Sequence, residues 1–549
     1  MNRLRFIPLA VLLAQLVARA DYTTVINPQT TWGTWEGWGV SLCWWANVFG
    51  NRDDLADLVF TTNYTSLNGA SLPGLGLNIA RYNAGACNTN LIDGAAIQFS
   101  TNLPDFKKMD GYWLNWFSAD PTSSSWDWSG DAKQRTMLQK AGARGANLLE
   151  LFSNSPMWWM CYNHDPSGSD NGTADNLQSW NYQAHATYLA TIAAYAAEQW
   201  GVTFDSVEPF NEPSADWWTA SGTQEGCHFD TATQAAVIGY LRAELDAQGL
   251  TSTRVAAADE SYYDQATATW NSFTNATRAE IGQVNVHGYQ YGGGRRDLLY
   301  NAVVGHRLWN TEYGESDGSG VSLASNLNLD FRWLHPTAWC YWQPLDSGGW
   351  GLIQSNPGDN WIGPANLKYF VLAQYTRHIR PGMVIIDGGE GNTIAAYDAP
   401  DRKLVIVTMN YGTPQNITYD LSGFHAAAGP IRRWLTATGN GIQYASADPP
   451  RLQDSEFTAA FATNTIQTFE VQNVDLYAPP VLSGGANPVT GQLNLAWPLT
   501  AAGYHLYVSS NLAAAGWQRV TNQPSTNGVY FLSLPMNAGG GQYFRLANP

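Results

Sequence analysis

Two short stretches place carboxylates where chemistry could be done: Ser206-Val207-Glu208-Pro209-Phe210-Asn211-Glu212-Pro213 and Leu308-Trp309-Asn310-Thr311-Glu312-Tyr313-Gly314-Glu315. In each, a β-prone run leads into a glutamate beside an amide or hydroxyl residue, and in the first a proline ends the run. Two carboxyl groups facing one another are the apparatus of glycoside hydrolysis. One is protonated and helps the leaving oxygen depart; the other is ionised and attacks the anomeric carbon, with retention when they stand about 5 Å apart. Asn211 can bond a sugar hydroxyl. Either glutamate alone would serve equally well in a salt bridge, so the elements that carry them must decide.

Those elements alternate from 37 to 379. Strands are predicted at 38–45, 77–82, 147–152, a run into 212, 254–258, 283–289, 307–311 and 338–342. Helices are predicted at 52–60, 132–143, 184–200, 231–247, 266–273, 297–304, 322–334 and 365–379. Eight strand–helix repeats predict the α/β class and a (β/α)₈ TIM barrel, since a doubly wound sheet more usually stops at five or six strands. Catalytic groups of such a barrel lie at the carboxyl ends of its strands. Glu212 then ends the fourth strand and Glu312 the seventh, across the mouth from one another.

Other strand ends converge on the same place. Arg81 ends the second, Trp158 follows the third, His287 and Tyr289 end the sixth, and Trp342 ends the eighth. Each has a bland reading as packing or an ion pair. Together they suggest that Arg81 and Tyr289 hold Glu312 ionised, His287 orients the polar network, and Trp342 and Trp158 wall the sugar subsite. Glu208, four residues before Glu212, shares its face but sits deeper, which favours a structural role. Glu36 and Glu315 are spare carboxylates.

Composition agrees with such a site. Of 549 residues, 44% are hydrophobic, enough for a large core, while only 13% are charged and Trp and Tyr number 25 and 27. A surface polar through amides and hydroxyls suits neutral, hydroxyl-rich ligands, although many of these rings must be core. A net charge of −17 speaks against nucleic acid or an anionic membrane as partner. The five cysteines are an odd number without metal-ligand spacing, so no metal or cofactor is expected. The chain is expected to act as a monomer.

The flanks complete the layout. Arg3 and Arg5, an apolar run over 6–17 and Ala18-Arg19-Ala20 predict a signal peptide at 1–20, hence a secreted protein, or a periplasmic one in a Gram-negative host. The run is shorter than the ~20 residues a membrane span needs. A strand segment at 21–36 is expected to join a β-sandwich side domain at 380–475, beyond a barrel at 37–379. After Ala478-Pro479-Pro480 a small all-β module fills 478–549. Attachment, sorting, carbohydrate binding and a plain spacer role are equally open to it.

The segments WEGWGVSLCWWA, NIARYNAGA, ELFSNSPMWWM, SVEPFNEP, VNVHGYQY, WNTEYGES and WCYWQ, in that order, resemble glycoside hydrolase family 30, most of all its subfamily 5, the endo-β-1,6-galactanases. The resemblance covers about 21–474 and leaves the last module outside. It implies a retaining hydrolase of the β-1,6-galactan side chains of arabinogalactan proteins, with Glu212 as acid/base and Glu312 as nucleophile. Arg81, Trp158, Asn211, His287, Tyr289 and Trp342 become substrate-site residues by the same matches, Asn211 at the 2-hydroxyl. Alternatives are an exo-acting enzyme that releases galactobiose, a hydrolase of xylan or β-1,6-glucan, or a non-catalytic glycan-binding protein. The endo or exo choice is expected to turn on loops 85–130 and 163–176. A lectin would have no need of opposed carboxylates.

Overall fold

The computed structural model describes residues 22–547 except 479, 500–503, 511, 513–516 and 537–540. The signal segment 1–20 lies outside the described residues. Eight parallel strands close into a barrel: β1 Gly37–Ser41, β2 Ile79–Asn83, β3 Leu148–Phe152, β4 Ser206–Glu208, β5 Arg254–Glu260, β6 Ile281–His287, β7 Arg307–Glu312 and β8 Ala338–Tyr341. They follow one another in sequence order around the ring, and β8 returns to β1 with Ala338 opposite Gly37. All are buried on both faces, which is why they read as near-continuous apolar runs. Gly39 makes the closure possible: a Cβ there would stand 2.4 Å from Cys340 Sγ and 2.7 Å from Ile79 Cβ.

A helix follows each strand, among them Asp53–Phe60, Ala132–Ala143, Thr231–Ala247 and Leu367–Thr376. The predicted helices at 184–200 and 322–334 each begin as α-helix and finish in a wide π turn, Ala196–Trp200 and Asp330–Leu334. Left-handed Gly201 and His335 stop them. The first strand is shorter than its aromatic run suggests. It stops at Ser41, and Trp45–Phe49 is helical, with Trp45 Nε1 donating to the Ser41 carbonyl at 2.9 Å. The turn is fixed by Leu42, whose amide bonds the Arg81 carbonyl, and this tertiary pairing overrides the β-propensity of the tryptophans.

Beside the barrel stands the β-sandwich. A seven-stranded sheet runs Asn27–Thr34, Val384–Asp387, Thr393–Asp398, Lys403–Asn410, Thr465–Val471, Ile431–Ala437, Ile442–Ala447. A three-stranded sheet runs Tyr22–Val25, Gln415–Asp420, Glu456–Phe461. The segment before the barrel therefore contributes one strand to each sheet. Along Lys403–Asn410 the side chains alternate: Leu404 and Ile406 enter the sandwich core, while Val405, Val407 and Met409 pack toward the barrel. Gln374 of the last barrel helix cements that second face, donating to Thr436 Oγ1 at 3.0 Å and accepting from Thr468 Oγ1 at 2.7 Å.

The last segment forms two small sheets around Leu495, Trp497, Leu506 and Leu532. It reaches the sandwich where Tyr504 Oη lies 3.4 Å from Gln29 Oε1. All five cysteines are buried and unpaired. Among the described residues no helix is long and apolar enough to cross a membrane.

Candidate active site

The barrel interior is a column of charge that rises to the mouth. At its base Arg307 bonds Glu36 at 2.8 Å and also reaches Asp205 and Gln283, which uses up one spare carboxylate. Above it Glu150 of β3 accepts from Ser206 and Gln283 at 2.8 Å each and from Asn285 at 3.0 Å. Glu208 lies in this layer, fully buried, taking Asn285 Nδ2 at 3.3 Å; burial, Asp259 and Glu150 push it far above the usual carboxylate range. Its place is structural. The other spare carboxylate, Glu315, is 2.7 Å from buried Lys368 Nζ.

Arg81 spans from this layer to the mouth. Its Nε donates to Glu150 Oε1 at 2.8 Å, Nη2 to Asp259 Oδ2 at 2.6 Å, and Nη1 to Glu312 Oε2 at 3.3 Å. Tyr289 Oη donates to the other oxygen of Glu312 at 2.7 Å. Burial pushes Glu312 up to about 7, against the pull of His287 and Arg81. The two donors thus moderate the cost of a buried anion rather than cancelling it.

Glu212 stands four residues beyond the end of β4, not on the strand itself. Pro209 interrupts pairing, and Glu212 adopts a left-handed backbone (φ +49°) that is costly for a non-glycine residue. Two clamps hold it: its amide donates to the Asp259 carbonyl at 2.9 Å, and its carbonyl accepts Trp218 Nε1 at 3.0 Å. His287 Nδ1 meets Glu212 Oε1 at 3.1 Å and lies 3.7 Å from Glu312 Oε1. One oxygen of each glutamate and a ring nitrogen of His287 all fall within 4.8 Å of one another. Burial disfavours the imidazolium, yet Glu312 and Asp259 push its pKa well above the ordinary value. A protonated ring beside Arg81 makes this trio a poor cation site. A second cluster, Asp175, His228 and Asp230, is already engaged, with Asp175 accepting the Asp230 amide and the Thr233 hydroxyl at 2.6 Å each.

Glu212, Glu312, Asn211, Tyr289 and Trp342 border one open cleft of ≈ 420 Å³. Asn211 Oδ1 is buried there without a hydrogen-bond partner. Arg81 and His287 lie beneath it, fully buried, and act on the cleft only through the carboxylates. Trp158 does not wall the cleft: a single 3₁₀ turn, Trp158–Met160, folds its ring fully inside, where Nε1 bonds Asn88 Oδ1 at 2.7 Å. Indoles that sequence reasoning passed over take that place, Trp217 from the loop after β4 and Trp350 from the loop after β8, 41% and 37% exposed. Loops 85–130 and 163–176 stand behind this wall, with Ser100 Oγ donating to the Gly222 carbonyl at 2.6 Å and the Ala220 amide donating to the Ser169 carbonyl at 2.9 Å. Asp259 was also missed. It directly follows the apolar run Val255–Ala258, and continuing that strand by one residue would have found it.

Comparison with known proteins agrees with the geometry. Residues 21–311 match the family model for O-glycosyl hydrolase family 30. The chain is 57% identical over 473 residues to an endo-β-1,6-galactanase of Hypocrea rufa, covering 85% of this chain and 98% of that protein. It is 23% identical over 552 residues to an exo-β-1,6-galactobiohydrolase of Bifidobacterium longum subsp. longum, covering 74% of this chain and 35% of that one. In fold it resembles the catalytic domain of a family 30 xylanase C from Talaromyces cellulolyticus (TM-score 0.63, 20% identity, 82% of this chain and all of that one). It also resembles a conserved exported protein of Bacteroides fragilis (TM-score 0.66, 18% identity, 82% of this chain and all of that one). A closed barrel with opposed glutamates at its mouth, a flanking sandwich and these matches make the chain a glycosidase, a member of glycoside hydrolase family 30.

Proposed function

We propose that the chain is a secreted, monomeric, retaining endo-β-1,6-galactanase acting on the side chains of arabinogalactan, with Glu312 as nucleophile and Glu212 as acid/base. The observation that carries this is the asymmetry of two carboxylates whose oxygens approach within 4.8 Å. Glu312 lies between Arg81 and Tyr289, two donors that favour an anion. Among the described residues Glu212 meets only His287, through one oxygen, which leaves the other to carry a proton to the cleft.

In the first step Glu312 attacks the anomeric carbon, the glycosidic bond breaks, and Glu212 passes its proton to the departing oxygen. In the second, Glu212 removes a proton from water, the water oxygen takes the anomeric carbon, and Glu312 leaves as carboxylate. Asn211 Oδ1, otherwise unpartnered, accepts from the 2-hydroxyl, a contact that strengthens as positive charge builds on the ring. The 57% identity to a galactanase supports the β-1,6-galactan substrate. Exposed Trp217 and Trp350 at the cleft favour a chain that continues past the cleaved bond, hence endo action.

The test is digestion of de-arabinosylated arabinogalactan, with xylan and β-1,6-glucan alongside, followed by chromatography and NMR of the first-formed anomer. A ladder of β-1,6-galacto-oligosaccharides released as the β-anomer is expected. Galactobiose as sole early product, or cleavage only of the other glycans, would refute the assignment.

A further inference from the structure

The mouth end of β5 holds a carboxylate that cannot reach the cleft. Asp259 is fully buried, in a left-handed backbone (φ +56°) that aspartate tolerates better than most residues. Its Oδ1 accepts from Thr311 Oγ1 at 2.5 Å. Its Oδ2 lies 2.6 Å from Arg81 Nη2 and 3.2 Å from His287 Nε2, the second contact close but out of line for a hydrogen bond. From that single oxygen two arms diverge. One runs through Arg81 to Glu312 Oε2 at 3.3 Å, the other through His287 to Glu212 Oε1 at 3.1 Å. The backbone adds a third tie, since the Asp259 carbonyl accepts the Glu212 amide at 2.9 Å.

We propose that Asp259 is a positioning residue that sets both carboxylates of the reaction at once, fixing Arg81 against Glu312 and His287 against Glu212. No other residue touches both supporting cations of the site among the described residues in this way, apart from Glu312 itself. The inference rests on the retaining reading above. The groups around the pair are Arg81 on β2, Glu208 at the end of β4, Thr311 and Glu312 on β7 and Tyr289 after β6, with Glu212 on the far side of His287. Burial opposes the charge of Asp259, but Arg81 and His287 keep it well below the usual carboxylate range. A ring held as imidazolium donates to Glu212 Oε1 and cannot take the proton that Glu212 must deliver. A misplacement of about 1 Å in such a site costs on the order of 100-fold in rate.

The experiment uses the full chain. Asp259→Asn keeps the size of the side chain and its tolerance of a left-handed backbone. It is expected to lower kcat on β-1,6-galactan by about 100-fold while KM stays within about threefold. In imidazole NMR, His287, assigned with a His287→Gln control, should be protonated at pH 7 in the wild type and should lose its proton at a lower pH in the variant, where Glu312 remains but the second anion beside the ring is gone. Thr311→Val removes the bond that orients Asp259, together with a longer contact of the same hydroxyl to the Val286 carbonyl at 3.2 Å, so a smaller kcat loss is expected with His287 still protonated. Wild-type kcat in a folded Asp259→Asn protein, or a loss of rate with the His287 titration unmoved, overturns the proposal. If that variant does not fold, unchanged kcat in Thr311→Val overturns it instead. A wild type without activity on galactan defeats the substrate assignment, and the His287 titration still judges Asp259.

Discussion

Two spaces enclosed by β-strands lie side by side in this protein and are filled in opposite ways. The sandwich interior holds Ile26, Leu404, Ile406, Ile417, Phe457 and Phe469, nearly all with no solvent exposure. The barrel interior is as dry, yet it holds Arg81, Glu150, Asp259 and His287, also without exposure. In the first space each side chain contributes by the area it removes from water, so a replacement of similar volume is tolerated. In the second each charge is held by its neighbours, and removal of one strands another. The barrel keeps a reactive arrangement that has no packing substitute; the sandwich braces it through Gln374 and the seven-stranded sheet.

The largest expected effect would sharpen that contrast. Glu312→Gln should cut turnover by at least about 10⁴-fold with the fold and melting temperature kept, as steady-state kinetics and calorimetry would record. Phe469→Ala in the sandwich should do the reverse, costing roughly 3–5 kcal/mol of stability with kcat per folded molecule unchanged. An equal loss of kcat would mean that the two interiors are not energetically separate.

Next in size is a pH effect. With Glu312 pushed up to about 7, kcat/KM should fall as the pH drops below that value, because the nucleophile takes up a proton. Tyr289→Phe removes a donor that favours the anion, so the acidic limb should move to higher pH. A limb that stays in place would remove Tyr289 from the charge balance.

The smallest effect concerns acid stability. Asp259 is depressed in the folded state, so its contribution is complete above the unfolded value of about 3.9 and is lost as pH falls through the folded one. Hydrogen exchange between pH 4 and pH 2 should therefore show protection fading in β5 and β6 before the Lys403–Asn410 strand of the sandwich. Simultaneous loss would contradict the comparison.

What was legible in the sequence follows the same division. Period and length gave the barrel strands, because a strand buried on both faces is an apolar run with clear ends. Counting strands placed Glu312 at the end of β7 and brought Glu212 to the mouth, though it stands four residues past the end of β4. What periodicity cannot carry is direction: Trp158 and Trp350 are alike in the sequence, but a 3₁₀ turn buries the one and a loop presents the other. Asp259 was hidden by the rule that found the strand, since a charged pair after four apolar residues reads as the start of a loop. The strands Ile442–Ala447 and Glu456–Phe461 are weakly marked in the sequence, because exposed polar residues interrupt their apolar ones.

The pairing of the first described strands has a consequence for synthesis. Tyr22 takes its place beside Ile417, a residue made 395 positions later (417 minus 22). At ordinary elongation rates of 5–20 residues per second, that strand waits about 20–80 s for its partner while the barrel is being made. A waiting edge of exposed backbone invites pairing with other chains. Asn27–Thr34, which waits in the same way for Val384–Asp387, carries a proline, a glycine and three threonines in Asn-Pro-Gln-Thr-Thr-Trp-Gly-Thr, a composition that makes a poor template for a neighbouring chain.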